Sequence, residues 1–198
     1  MARNACSRIA TATDGFTLVD MLLVTAFMAI IMATAVPTLR NVGDSIRLGA
    51  GAREVERELQ TARLKAVTTN SVMRLRFNCP VAGQYRMVEL MAAPGAPLAG
   101  PDAAADRCTD TAYPYPAADL SPITVPNHDG PVRRLHPDLS FGAFKTLEFW
   151  PDGTVRADDG TGERPWKPIA GAGTAITVVK GANVKTITVN GLGKITLQ

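Results

Sequence analysis

The sequence is poor in the residues on which most enzyme and metal sites depend. It contains two histidines and three cysteines among 198 residues. Neither His128 nor His136 has a zinc-finger spacing to a cysteine, which excludes a zinc site of that kind. There is no GxSxG or HExxH motif, and the Gly-Leu-Gly-Lys run at 191–194 lacks the first glycine and the hydroxyl residue of a phosphate loop. We therefore expect no enzymatic activity, no cofactor and no resident metal.

A strong charge of one sign is also missing. The chain has 21 basic and 18 acidic residues and a formal net charge of +3, which is not the footprint of a tight nucleic-acid binder. Lys180, Lys185 and Lys194 could still form a small DNA-contacting patch if the last strands pair. The other interpretation is that they are separate, solvated side chains.

One short stretch, residues 158–163, concentrates carboxylates between flexible glycines. It could bind Ca²⁺ weakly, although the spacing of an EF-hand loop is absent. A solvated acidic loop is the simpler interpretation.

The most prominent feature present is the apolar run at residues 16–36, whose single charge is Asp20. A helix rises about 1.5 Å per residue, so this run would reach about 31 Å, the thickness of a bilayer's hydrocarbon core. Signal-peptide cores are shorter, about 7–15 residues. Pro37 follows the run. The sequence therefore predicts a transmembrane helix in which Asp20 either has a partner or reaches the lipid headgroups.

The start of this run resembles the signature of the type IV pilins. In that family a polar leader ends in Gly, Phe follows, the fifth residue of the apolar helix is acidic and a Pro stands near position twenty-two. Here Gly15, Phe16, Asp20 and Pro37 occupy these places, although Asp replaces the usual Glu and Asp14 stands where a basic residue is common.

The resemblance implies five properties of the N-terminal segment. Residues 1–15 are a leader that a prepilin peptidase removes between Gly15 and Phe16, and Phe16 is then N-methylated. The helix at 16–36 forms the filament core, and Asp20 is an assembly contact that pairs with the Phe16 α-amine of an adjacent subunit. Arg3 and Arg8 precede the apolar run and favour a cytoplasmic N-terminus, whereas Arg40 and Arg47 after the run weaken this charge argument. The resemblance implies the cytoplasmic N-terminus.

Residues 37–70 are predicted to continue as an amphipathic helix. Apolar residues recur there at three- and four-residue steps and define one stripe. The stripe comprises Leu48, Ala52, Val55, Leu59, Ala62 and Ala66. The charged opposite face is expected to be solvated.

The remaining residues, 71–198, are predicted to form a β-rich domain with short strands and turns. Residues 72–77 alternate apolar and basic side chains, which is typical of a half-buried strand. Residues 92–131 are rich in proline and are expected to form a surface loop. Cys79 and Cys108 are an even pair in a domain that would face an oxidising compartment, so we expect a disulfide, with two free thiols as the alternative.

The order of these elements resembles the GspH/FimT family, the H-type minor pseudopilins of type II secretion and the related minor pilins of type IV pili. It implies an α+β fold in which a long N-terminal helix, with a transmembrane half and an amphipathic half, packs on an antiparallel β-sheet domain. The implied protein is a single-pass subunit of the bacterial inner membrane with a periplasmic C-terminal domain. It acts in filament initiation or at the tip, with other pilins, the assembly platform and the prepilin peptidase as partners. The alternative is a DNA-binding minor pilin used in DNA uptake.

Overall fold

The computed structural model describes residues 15–117, 125–158 and 166–198. The chain divides into two compact units, Met1–Gly43 and Asp44–Gln198. Most of the expected leader therefore lies outside the described residues, as do parts of the proline-rich loop and of the acidic stretch.

One helix, α1, and nine short strands make up the regular structure of the described residues. Helix α1 spans Leu18–Thr69 and continues through Pro37. The strands are β1 (Val72–Phe77), β2 (Gln84–Leu90), β3 (Arg133–Arg134), β4 (Ser140–Phe141), β5 (Leu147–Phe149), β6 (Val155–Ala157), β7 (Thr174–Lys180), β8 (Asn183–Val189) and β9 (Ile195–Leu197). The expected α+β class, with one long N-terminal helix and an antiparallel β domain, is confirmed.

The strands form two antiparallel sheets. The first sheet has the order β3-β2-β1-β5-β6, and the second has the order β4-β7-β8-β9. In the first sheet β1 pairs with β2 from Val72↔Leu90 to Phe77↔Tyr85. In the second sheet β7 and β8 form a hairpin that closes at Lys180↔Asn183.

The core of the second unit lies between the apolar stripe of α1 and both sheets. Leu48 is 3% exposed, and the other five stripe residues are fully buried. They pack against inward side chains of the strands, including Met73 and Leu75 of β1 and Ile187 of β8. The periodic pattern therefore identified the packing face correctly, because a stripe at 3.6-residue spacing can be buried along only one side of a helix.

The outer face of the first sheet is covered too, so the expectation of a half-buried strand β1 was wrong. Arg74 is 5% exposed and pairs with the fully buried Glu148 of β5 at 2.5 Å. The Arg74 guanidinium also stacks on the Trp166 ring, 4.6 Å from its centroid. A basic residue in an alternating strand thus faces a buried carboxylate rather than solvent.

The proline-rich region supplies part of this cover, which corrects its interpretation as a surface loop only. A 3-10 helix at Gly100–Ala103 brings the buried Asp102 to the end of β2, where its carboxylate accepts hydrogen bonds from the Met91 and Ala92 backbone N–H groups. Residues 118–124 within this region lie outside the described part of the chain.

The predicted disulfide between Cys79 and Cys108 is confirmed, with Cα atoms 5.6 Å apart. It closes a loop across a sequence separation of 29 residues. The bond ties the proline-rich region to the end of β1, and Cys108 itself is buried. Free thiols are therefore excluded as the state of this pair.

Next to the disulfide lies a buried ion cluster formed by Arg86, Arg107 and Asp129. Two guanidinium nitrogens of Arg107 donate to the Asp129 carboxylate, which Arg86 approaches at 4.0 Å. Arg86 also donates to the carbonyl oxygens of Gly130, Thr109 and Tyr113 at 2.5–2.9 Å. The cluster fastens two distant segments of the proline-rich region to the outer face of β2.

Candidate membrane and assembly site

Helix α1 exposes apolar side chains all around its first half. Within the first unit every residue from Leu18 to Ala33 is exposed, including the large side chains of Leu18, Phe27 and Ile31 at 59–76%. Among the described residues this is the helix long and apolar enough to cross a membrane, and none of its most apolar part is buried. A helix that is apolar on all sides requires an apolar environment.

The hydroxyl groups on this surface are satisfied within the helix. Thr25 donates to the Leu22 carbonyl oxygen, and Thr34 donates to the Ile31 carbonyl oxygen, both at 3.0 Å. Such bonds remove the cost of placing a threonine hydroxyl in hydrocarbon. The surface is therefore compatible with lipid despite its threonines.

Asp20 lies in the first turn of α1, where it forms a reciprocal cap with Thr17. The Asp20 carboxylate accepts from the Thr17 backbone N–H at 3.1 Å and from the Thr17 hydroxyl at 2.7 Å. The Asp20 N–H in turn donates to the Thr17 hydroxyl oxygen at 3.2 Å. This is a capping box with Asp in the place of the usual Glu or Gln.

Thr17 was not among the predicted functional residues, although its signal was present in the sequence. A Ser or Thr three residues before an acidic residue, at the start of an apolar run, is the sequence signature of this cap. The capping box satisfies two backbone donors of the helix end, so Asp20 has a polar partner within its own chain. Any contact with a second subunit therefore acts on a carboxylate that is already oriented.

The expected cleavage site lies just before this cap. Gly15 and Phe16 have no regular secondary structure, and Phe16 is 78% exposed. The space around the Gly15 Cα is open, since an added Cβ would meet nothing within 4 Å. The backbone between these two residues is sterically accessible.

The three lysines of the DNA hypothesis are not brought together as one patch. Lys180 lies at the β7–β8 turn and is paired with Asp44 at 2.8 Å and Asp138 at 3.4 Å, contacts that raise the pKa of its ammonium group. Lys185 pairs in register with Val178 near that turn, whereas Lys194 precedes β9 at the opposite end of β8. At about 3.3 Å per residue, the length of β8 separates Lys194 from the other two.

We expect weak DNA binding from this arrangement, with a dissociation constant in the range of about 1–100 μM at physiological salt. Few phosphates can be contacted at once, because Lys180 is already neutralised by two carboxylates. Fluorescence anisotropy with a labelled duplex measures the dissociation constant. Lys194→Ala tests the DNA hypothesis, and Lys145→Ala is the matched control. Tight, salt-sensitive binding that only Lys194→Ala removes would contradict the expectation.

The charged face of α1 is mostly exposed as expected, but Glu58 is an exception. It is 7% exposed and lies 3.5 Å from Arg133 of β3. Burial raises the pKa of the Glu58 carboxyl, and the Arg133 charge opposes this rise only in part. Because β3 packs beside the helix, a position that would be solvated on an isolated helix is covered.

Within the described residues no group of three or more His, Cys, Asp or Glu side chains could hold a metal ion. Residues 159–163 of the acidic stretch considered for Ca²⁺ lie outside the described part of the chain. The His128 side chain has its Nδ1 atom 3.0 Å from the Glu89 carboxylate. Burial opposes ionisation of Glu89, but hydrogen bonds from His128, Ser71 and Asn127 outweigh it and lower the pKa of this carboxyl.

Comparisons with known proteins returned structural matches only. No protein-family model and no curated protein sequence matches the chain. Two crystal structures of the Pseudomonas aeruginosa type IV minor pilin FimU, in different space groups, are similar to it. One is 14% identical with a TM-score of 0.40 and covers 76% of this chain and 92% of FimU. The other is 15% identical with a TM-score of 0.42 and covers 81% and 91%, respectively.

Proposed function

We propose that this protein is a minor pilin or pseudopilin, a structural subunit that is anchored in a membrane and assembles into a filament through its N-terminal helix. The observation that carries the proposal is helix α1. Its first half is apolar and exposed on all sides, whereas its second half buries a single stripe in a β-rich unit. Water cannot solvate the first half without a large hydrophobic cost, so lipid or the helices of other subunits cover it.

The proposed chain organisation follows the resemblance and these elements. Residues 1–15 are the leader, 16–36 the membrane and filament-core helix, 37–70 its amphipathic extension and 71–198 the periplasmic domain. The N-terminus lies on the cytoplasmic side of the bacterial inner membrane. The protein's partners are other pilins, the assembly platform and the prepilin peptidase. The protein acts in filament initiation or at the filament tip.

The capping box supports a role for the helix start beyond anchoring. A membrane anchor needs no acidic residue, and a charge within a transmembrane segment costs about 2.5–3.5 kcal/mol on insertion scales at the helix centre. Asp20 lies at the first turn, where the cost is smaller, and it is oriented by Thr17. A pre-oriented carboxylate is suited to accept a cation from a neighbouring subunit, such as the α-amine that cleavage before Phe16 would create.

Cleavage tests the proposal. We expect the mature chain to begin at an N-methylated Phe16, because the Gly15–Phe16 bond is exposed, lacks regular structure and directly precedes the cap. Intact mass and N-terminal sequencing of full-length protein extracted from membranes measure it, and a host without prepilin peptidase is the control. Recovery of residues 1–15 on the chain in a host with active peptidase would overturn the proposal.

A further inference from the structure

The second sheet ends in a strand edge that lies beside an exposed groove. Strand β9 is the last strand of the order β4-β7-β8-β9 and has β8 as its neighbour. A groove of about 470 Å³ runs between the start of β9 and the side of α1. We call this feature the β9 groove, and its walls are formed by Gln60, Arg63, Leu64 and Val67 of the helix and by residues 193–195.

The backbone of β9 presents hydrogen-bonding groups to this open side. Thr186 and Gln198 exchange both backbone hydrogen bonds, and the register continues with Thr188↔Thr196. In an antiparallel ladder the bonded residues alternate with residues whose N–H and C=O groups point away. The N–H and C=O groups of Ile195 and Leu197 therefore point away from β8, toward the edge that carries no strand in the described structure.

The helix wall of the groove is a second, partly apolar face of α1, distinct from the buried stripe. Gln60, Arg63, Leu64 and Val67 follow three- and four-residue steps, so they lie on one side of the helix. Leu64 is 66% exposed and Val67 is 50% exposed. Large aliphatic side chains that flank an open strand edge are a feature of sites where an extended peptide adds a strand.

The charges at the groove indicate the charge of a strand that would bind there. Arg63 and Lys194 are exposed at its rim, and its described lining contains no carboxylate. The Arg63 guanidinium packs over Gly193 and donates to the Leu192 carbonyl oxygen at 3.2 Å, which holds the cation at the β9 end of the groove. An acidic residue of the occupant would pair with these cations, and a basic one would be repelled.

We propose that the β9 groove binds an extended strand of a partner protein, which pairs with the outer edge of β9. The strand places an apolar side chain against Leu64 and Val67 and an Asp or Glu side chain near Arg63 and Lys194. Main-chain hydrogen bonds to Ile195 and Leu197 require an extended backbone, whereas the apolar and acidic side chains select the sequence. This inference is independent of the proposed filament role, since it rests on residues of the second unit alone.

A peptide selection on the intact protein tests the proposal. Full-length chain in lipid nanodiscs is panned against a random dodecapeptide library, and the strongest peptide is synthesised. We expect alternating apolar residues with Asp or Glu, and at least tenfold slower amide hydrogen exchange at Ile195 and Leu197 when the peptide binds. Exchange at Thr196, which already bonds to β8, stays unchanged.

Two variants and one matched control locate the site. Leu64→Glu is expected to weaken peptide binding at least tenfold, whereas Val184→Glu, at a 52% exposed position of β8 outside the groove, leaves it unchanged. Ile195→Pro removes an outward N–H without removing a hydrogen bond to β8, and it should weaken binding several-fold. If Ile195→Pro disturbs folding, Leu64→Glu still decides, because Leu64 is outside the core.

Any one of four results would overturn the proposal. The selection could return no peptide of this pattern. A selected peptide could bind without protecting Ile195 and Leu197, or equally well to Leu64→Glu. Displacement of the peptide by a single-stranded oligonucleotide would show that the groove serves nucleic acid rather than a protein strand.

Discussion

Replacing Asp129 by asparagine is expected to lower the free energy of unfolding of the β-rich unit by about 3–5 kcal/mol. The side chain of Asp129 is 3% exposed and accepts hydrogen bonds from Arg107 and from the Glu89 backbone N–H. Arg86 and Arg107 are both buried beside it. Asparagine keeps the shape but not the charge, so two guanidinium groups would remain buried without their shared carboxylate.

The state of Arg86 shows how much depends on this carboxylate. Burial lowers the pKa of the Arg86 guanidinium, and the neighbouring charge of Arg107 lowers it further, whereas Asp129 and Asp110 oppose both effects. Asp110 is largely exposed and lies 3.5 Å from Arg86, so its contribution is screened by solvent. Asp129 is therefore the main counter-charge for the cluster.

Urea unfolding of the full-length chain in detergent, followed by tryptophan fluorescence, measures this loss. Both tryptophans, Trp150 and Trp166, lie in the second unit, so the signal reports on that unit. Asp106→Asn is the matched control, since Asp106 is exposed on the same proline-rich region. Equal stability of Asp129→Asn and Asp106→Asn would show that the buried charge does not hold this region to the sheet.

Replacing Asp20 by alanine is expected to reduce co-purification with partner pilins at least tenfold, while membrane insertion and cleavage after Gly15 stay intact. This expectation rests on the proposed function. Alanine removes the carboxylate that would bind the α-amine of the neighbouring Phe16, and in an apolar surrounding an unpaired ammonium group is costly. Asp20→Glu keeps the charge and a capping-box residue, so it should be tolerated.

Thr17→Val separates assembly from helix capping. It removes the hydroxyl that donates to Asp20 at 2.7 Å and keeps the shape of the side chain. If Asp20 serves only as a cap, Asp20→Ala and Thr17→Val each lose part of the same helix-end interaction, about 0.5–2 kcal/mol. The two variants then reduce co-purification equally. If Asp20 is an assembly contact, Thr17→Val retains most of the co-purification. Undiminished recruitment of Asp20→Ala would mean that the charge is not an assembly contact.

Local periodicity accounts for what could be predicted about the fold. The stripe from Leu48 to Ala66 was identified in full, because side chains at 3.6-residue spacing lie on one side whatever the helix packs against. The β7–β8 hairpin also has a local signal, since a turn-forming sequence separates two runs of β-branched residues. The Cys79–Cys108 bond was predicted because Cys6 lies in the expected leader, and the two remaining cysteines permit a single pairing.

The errors share one cause, which is burial by residues distant in sequence. Arg74 was predicted to be exposed, because alternation of basic and apolar residues is typical of a strand with one solvent-exposed face. Its partner Glu148 is 74 residues away, and no local signal connects them. Likewise, Glu58 is covered by Arg133, and Arg107 joins Asp129 from another part of the proline-rich region. Charge and proline content indicate the local conformation of a segment, but not which distant residues bury it.

By itself, the sequence determined the long helix with its apolar first half and the side of α1 that enters the core. It also contained the cap signal from Thr17 to Asp20, which was missed. These features depend on residues within one or two helical turns, or on the composition of a single run, so they can be predicted without the fold. Only the tertiary structure decided that both faces of the first sheet are covered, that the three lysines are apart, and that the edge of β9 faces Leu64 and Val67. Each of these depends on strand order and register, which arise from the packing of the whole second unit rather than from any one segment.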